Sequence, residues 1–362
     1  MFDTGNRQEL IRIEGKAITN SGFNSKGTRI GFADDLRNIG IWELPESIPL
    51  VSLSSDPDPG ARRKAEFVPG NENVLAYPVS TGVQFWNHKT QTLIHQLDCG
   101  QTSKVMFRGN GSTLYTAGKQ GINCWKFDIE DGQFGPVISC SHVRNITKES
   151  VETFDIDNAE ATIATPYRRR SIKLIDVASG ETQSFGNHLN VSKVAFSPDE
   201  KFLVTTTWQG RGINVWDLRT RKRLTTLAPM TSTSMIGFHP DGKRMLGISG
   251  DKNFAWSTKD WNVQGAETRK VTDGWPGDVM VSPDGRLVVR TRSQYLPELI
   301  DSKTGQRLAS LESPFKCMIG AISWSESGRY VSITDRETIL VWDLQQIRSH
   351  LERLKIDWSD SD

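Results

Sequence analysis

Cysteine is scarce in this sequence. Four residues in 362, Cys99, Cys124, Cys140 and Cys317, sit at spacings that match no metal-binding pattern. So few thiols in so long a chain exclude a disulfide-stapled mini-fold and fit idle reduced thiols in a cytoplasmic protein. The six histidines (His88, His95, His142, His188, His239 and His350) form no HExxH and no Cys/His cluster at zinc spacing. An excess of either charge is also missing: 44 Lys and Arg stand against 43 Asp and Glu, a net charge of +1. That balance argues against a general polyanion binder, so nucleic acid ranks last among partners. No run approaches 18 apolar residues, so no membrane-spanning helix is expected. Residues 1–20 show no apolar core of a secretory signal.

Catalytic signatures are equally thin. The glycine turns GNGS (109–112) and GKQG (118–121) lack the following helix that a phosphate loop needs. No GxSxG stands in the sequence, and the acidic runs at 54–60 and 155–160 lack the residue order of a calcium loop. No residue is assigned a catalytic, cofactor-binding or metal-binding role, and no cofactor and no enzymatic activity are expected.

What the sequence does have is a period. An alternating apolar segment ending in Trp, or in Ile in its place, recurs at Trp42, Trp86, Trp125, Ile175, Trp216, Trp256, Ile300 and Trp342. The gaps are 44, 39, 50, 41, 40, 44 and 42 residues. A second marker keeps step with it about 15–20 residues earlier, an apolar strand followed by a tight polar turn. VAFSPDE (194–200), IGFHPDG (236–242), VMVSPDG (279–285) and ISWSESG (322–328) are the clearest copies. Proline presets φ for such a turn, and Asp-Gly tolerates the positive φ that follows. Residues 191–228 show how one period becomes a unit: VSKVAFS, a Pro-Asp turn, KFLVTTT, a glycine-bearing loop, INVWDL, and RLTTLA read as a four-stranded antiparallel meander.

A repeat of 40–45 residues carrying a WD dipeptide resembles the WD40-repeat β-propeller over roughly residues 8–344. The resemblance implies an all-β ring in which each repeated Trp packs between neighbouring blades. Eight blades are expected, with seven plus one displaced repeat as the alternative. Residues 8–14 read as an outer strand that completes the last blade, as WD40 rings commonly close. The expected division is one propeller over 1–344, then a C-terminal helix and tail over 345–362. The helix follows from Ile347, Leu351 and Leu354 at helical spacing. The family's hydrogen-bonded set of His, Ser or Thr, Asp and Trp is eroded. His188, Thr206 and Trp216 stand where three members fall, the loop Asp is absent, and His142 is a counterpart one repeat earlier. The tail at 342–360, with Ile356-Asp357-Trp358, resembles the end of WD40 domains in planctomycete-type bacterial Ser/Thr kinases, although no kinase motif is present.

Such a ring implies a non-catalytic, monomeric, cytoplasmic scaffold that binds a protein or peptide, associated with a bacterial Ser/Thr kinase as a sensor or regulator. The loops between second and third strands hold nine basic residues against five acids. The bias and the nearby aromatics single out Lys119, Tyr167, Arg168, Arg169, Arg170, Trp208, Arg211, Arg292, Tyr295 and Arg336 as a partner-binding rim. Arginine and aromatics are the usual energetic anchors of interfaces, and arginine grips carboxylates and phosphates, so an acidic or phosphorylated partner is expected. A small-ligand or catalytic site in the central channel is the alternative.

Overall fold

A computed structural model describes residues 18–23, 25, 29–34, 39–43, 50–54, 63–208, 212–228, 234–249, 251–268, 277–293, 295–313, 318–335 and 338–353. Among the described residues eight antiparallel sheets form, following the eight repeats of the sequence, and seven of them have four strands. They are blades A (residues 66–98), B (102–147), C (155–187), D (191–227), E (234–268), F (279–310) and G (321–343). First strands of neighbouring blades lie against one another at the A–B, C–D, E–F, F–G and G–A junctions, and the fourth strand of blade E faces outward, with all six residues of Val263–Thr268 exposed.

The recurrent Ser-Pro-Asp turn has a direct physical cause. In blade D the Ser197 hydroxyl donates to Asp199 Oδ1 at 2.7 Å and accepts from the Phe202 backbone N–H at 3.0 Å. In blade F, Ser282 repeats both contacts with Asp284 and Leu287, at 2.6 and 2.9 Å. The 50-residue gap also has a cause: the outer hairpin of blade B, Gly121–Gly132 with Gly135–Thr147, is much longer than the others and carries Phe134 fully into solvent near its tip.

The ring takes the seven-blade alternative. The first repeat forms a three-stranded sheet of β1 (Ile18–Phe23), β2 (Arg29–Asp34) and β3 (Ile39–Glu43). Its fourth strand, β4 (Leu50–Ser54), leaves it and pairs with Thr338–Asp343 of blade G, from Leu50 opposite Trp342 to Ser54 opposite Thr338. The closing strand therefore comes from early in the chain, but it is β4 and not residues 8–14, which lie outside the described residues. The reason is burial. On blade G, Leu53 packs with Ile339 and Val341 against Phe67, Leu75 and Tyr77 of blade A, so blades G and A meet directly. The outer edge of β3 has no strand partner among the described residues, and Ile39 and Ile41 are exposed.

Each of the seven seams holds one apolar cluster. The Trp-type landmark of each blade fills the seam toward the preceding blade. Trp216 lies between C and D, Trp256 between D and E, and Trp342 between F and G, each under a tenth exposed. Ile175 and Ile300 occupy the same station in blades C and F. The helix α1 (Leu344–Arg353) follows blade G, with Leu344 and Ile347 packed on the F–G cluster.

The polar relay of blade D uses Thr205, where the sequence pointed to Thr206. His188 Nδ1 and Thr205 Oγ1 are 2.8 Å apart, and Trp216 Nε1 donates to the same oxygen at 3.0 Å. Strand alternation decides this. Leu203 is opposite Trp216 and Thr205 is opposite Asn214, so Thr205 shares the Trp216 face. Thr206 points the other way, to Ser192 Oγ at 3.0 Å. His142 is not an inter-blade residue: it sits on the outer strand of blade B directly opposite Trp125, whose ring it meets edge-on.

Candidate interaction rim

One rim of the ring carries the turns between second and third strands together with the loops between blades. In blade A the two are stitched by backbone bonds, Thr102 N–H to Val79 O at 3.1 Å and Gly100 N–H to Thr81 O at 3.0 Å. In blade B, Lys119 stands exposed at the tip of a turn bounded by Gly118 and Gly121. Gly121 has φ +89°, and a Cβ there would lie 1.8 Å from the Thr147 carbonyl oxygen, so only glycine fits. The same turn accepts the Val151 N–H at Gly118 O, 3.0 Å, which holds the B–C loop beside it.

The turn of blade C comes next. Arg168 and Arg169 have φ of +48° and +55°. Two consecutive side-chain-bearing residues in the left-handed region are costly where Asn-Gly would be relaxed. Backbone bonds hold the turn in place: Arg170 N–H to Tyr167 O at 3.0 Å, and Asn190 N–H to Arg169 O at 2.6 Å. Trp208 N–H then donates to Asn190 O at 3.1 Å, so the blade D residue joins the same surface. The Tyr167 ring has Lys173 Nζ at 3.9 Å and Arg168 Cζ at 5.1 Å from its centroid. A cleft of about 480 Å³ lies here, lined by Glu149, Glu152, Tyr167, Arg168, Arg169 and Ser192 among others.

Two glutamates temper the positive charge. Glu149 pairs with Lys173 at 2.5 Å and Glu152 with Arg169 at 3.9 Å. Both glutamates are exposed, and such pairs contribute little stability. Lys119, Arg168 and Arg170 have no carboxylate partner among the described residues. The charge count along the sequence took only second-to-third-strand loops, so it missed Glu149 and Glu152 on the B–C loop. It also missed Asn190, whose backbone links the turn to Trp208. That inter-blade loops share this rim was the available signal.

Two of the remaining candidates lie on another blade. Arg292 and Tyr295 belong to the corresponding turn of blade F, and Arg292 reaches the buried Glu298 carboxylate at 3.6 Å. Glu298 also draws Arg290 at 3.7 Å and Arg307 at 3.4 Å. Arg211 and Arg336 lie outside the described residues. The rim is thus contiguous from Lys119 through Tyr167–Arg170 to Trp208, over blades B to D.

Titratable groups of the inner strands mostly satisfy one another. Lys64 pairs with Glu66 at 2.9 Å, Arg108 with Asp155 at 3.8 Å and Lys193 with Asp278 at 3.8 Å. Lys104 donates to the Phe154 carbonyl oxygen. Burial pulls its ammonium down to about 8, with Asp155 pulling the other way. No group of three or more metal-ligating side chains occurs among the described residues. Cys99, Cys124 and Cys140 are unbridged, and burial pushes the Cys140 thiol up to about 12. No helix among the described residues is long and apolar enough to cross a membrane.

Seven four-stranded antiparallel blades with a Trp-type residue at each seam define a WD40-like β-propeller. Comparison with known proteins agrees. The family model described as WD domain, G-beta repeat matches residues 180–217, which span the outer strand of blade C and most of blade D. An uncharacterized WD repeat-containing protein of Deinococcus radiodurans is 28% identical over 171 residues, 42% of this chain and 65% of that protein. The U3 small nucleolar RNA-associated protein 18 homolog of Arabidopsis thaliana is 26% identical over 181 residues, 47% of this chain and 31% of that protein. The matched regions thus cover less than two thirds of either relative. Together these likenesses support a WD40-repeat protein, a class that typically binds other proteins.

Proposed function

We propose that this chain is a non-catalytic interaction platform that binds an acidic or phosphorylated segment of a protein partner on the blade B–D rim. The observation that carries the reading is the pair of left-handed arginines at 168 and 169. Strained backbone of this kind costs about 1–3 kcal/mol per residue, and it collects at functional sites. The turn displays Arg168 and Arg170, without carboxylate partners among the described residues, beside Tyr167, Lys119 and Trp208, an assembly of interface-type residues over a cleft. Glu149 and Glu152 restrict the partner: its acidic groups must reach the unpaired cations at the tip rather than the cleft floor. A cytoplasmic location and attachment to a bacterial Ser/Thr kinase as its regulator are the narrower form of this reading. They rest on the composition and on the tail at 342–360, of which residues 354–360 lie outside the described residues.

The test is an array of acidic and phosphorylated peptides probed with the wild type and with Arg168→Asn/Arg169→Gly. That variant relaxes the turn, so it should fold at least as stably while losing the peptides. A variant that keeps the wild-type peptide profile removes the rim from the partner site.

A further inference from the structure

Three residues close a typical seam: two apolar side chains on the third strand of one blade and the Trp of the next. Between D and E these are Ile213, Val215 and Trp256, and between G and A they are Ile339, Val341 and Trp86. Between E and F the corresponding residues are Asn253, Ala255 and Ile300. All three changes remove apolar volume. The seam between B and C also lacks its Trp, but Tyr115 and Phe154 pack beside Ile175 there. Among the described residues nothing makes up the loss between E and F. The apolar cluster is the smallest of the seven, and a groove of about 480 Å³ opens beside Ile300, Phe254, Ala255 and Gly265.

The groove also holds polar atoms that the protein leaves unused. Asn253 is 8% exposed, and its Oδ1 is buried without a hydrogen-bond partner. Buried polar groups are nearly always satisfied, so an orphan on a cavity wall points to a missing partner. Arg290 Nε is orphaned in the same groove, while its Nη2 meets Glu267 across the seam at 2.6 Å. Arg244 reaches over to the Ser302 carbonyl oxygen at 3.0 Å. The charged lining is mixed, with Arg244, Arg290 and Lys303 against Glu267 and Asp301, so both signs of charge border the cavity. The volume falls in the range of small-molecule clefts, which are mostly apolar with a few placed polar groups.

We propose that the E–F groove is a binding slot for a small neutral molecule with a planar aromatic ring of indole size. The ring occupies the space that blade F leaves empty by carrying Ile300 in place of Trp, and a ring N–H donates to Asn253 Oδ1. In blade D the indole of Trp216 makes the equivalent pair of contacts, seam packing and an N–H donated to a side-chain oxygen. The site is independent of the blade B–D rim, so either can fail without the other.

The probe is free indole, followed by ligand-observed NMR titration and by the melting temperature of the full chain. The wild type should bind indole and melt higher in its presence, and 1-methylindole, which lacks the N–H, should bind at least fivefold more weakly. Ile300→Trp fills the slot from within, so it should melt higher than the wild type without ligand and gain nothing from indole. Asn253→Leu guards against a misfolded tryptophan variant. It should lose the preference for indole over 1-methylindole. The proposal is overturned by a wild type that ignores indole, by binding that survives Ile300→Trp, or by a slot that takes only Trp-containing peptides.

Discussion

Trp342 stands directly opposite Leu50 in one antiparallel ladder, so the last repeat is completed by a strand from near the start of the chain. Closure of this kind ties the two ends of the ring together and removes a free edge of blade G. It also makes the small strand β4 matter to the whole ring. Leu53 is 2% exposed at the G–A seam, so Leu53→Ala should destabilise by about 2–4 kcal/mol through lost burial and a residual cavity. Urea unfolding measures this; a loss below about 0.5 kcal/mol would place β4 outside the ring.

Thr205 and Thr206 are adjacent and both fully buried, yet their removal should differ. Thr205→Val leaves His188 Nδ1 and Trp216 Nε1 without their shared oxygen, at a cost of about 1–3 kcal/mol for each group left unpaired. Thr206→Val breaks one bond to Ser192, which is part-buried and close to the rim. Denaturation midpoints at equal slope should rank wild type, Thr206→Val, then Thr205→Val; the reverse order contradicts the relay.

His88 gives the fold a predictable response to acid. Burial pulls its imidazole down to about 4, against the pull of the Glu72 carbonyl oxygen 3.1 Å from Nε2. The unfolded chain takes up the proton near pH 6.5 and the folded chain only near 4, so protons favour unfolding between these values. The contribution is intact above pH 6.5 and falls with acid, by about 2 kcal/mol at pH 5. His88→Phe keeps the ring against Tyr330 and Phe67. It should show a smaller stability difference between pH 7 and pH 5; an unchanged difference assigns the effect to other groups.

Two tryptophans should separate packing from recognition. Trp256 is 1% exposed in the D–E seam, whereas Trp208 is 37% exposed on the rim. Trp256→Ala should cost about 3–5 kcal/mol, and Trp208→Ala should stay within about 0.5 kcal/mol of the wild type. Thermal melts check both, and a large loss at Trp208 would make it a structural residue.

The repeat pattern carried most of the fold because the seams demand it. A Trp at Trp86, Trp125, Trp216, Trp256 and Trp342 is the local record of a blade-to-blade contact, and Ser197 and Ser282 record the turns. Blade number was harder to read. IGIWEL around Trp42 carries the same marker as ILVWDL around Trp342, and no local pattern tells which of the two strands β4 will join. Only the burial of Leu53 between Ile339 and Phe67 decides it. The choice between Thr205 and Thr206 turned on strand parity, which a one-residue error in register inverts. Lys119, Tyr167–Arg170 and Trp208 could be named from the sequence as candidates for one rim. Its opposing charges at Glu149 and Glu152 could not, because they come from a different loop. The groove between E and F was visible only as a degenerate repeat at Ile300, since its emptiness depends on Asn253 and Ala255 one blade away.

Seven blades closed by β4 can be tested directly with two shortened chains, one beginning at residue 46 and one at residue 56. Their thermal unfolding should differ sharply. The chain that keeps Leu50–Ser54 should melt in one cooperative transition close to the full-length protein, and the chain that lacks it should melt far lower or without cooperativity. Equal melting of the two shortened chains would contradict the closure, and collapse of both would return the first repeat to the ring as a blade.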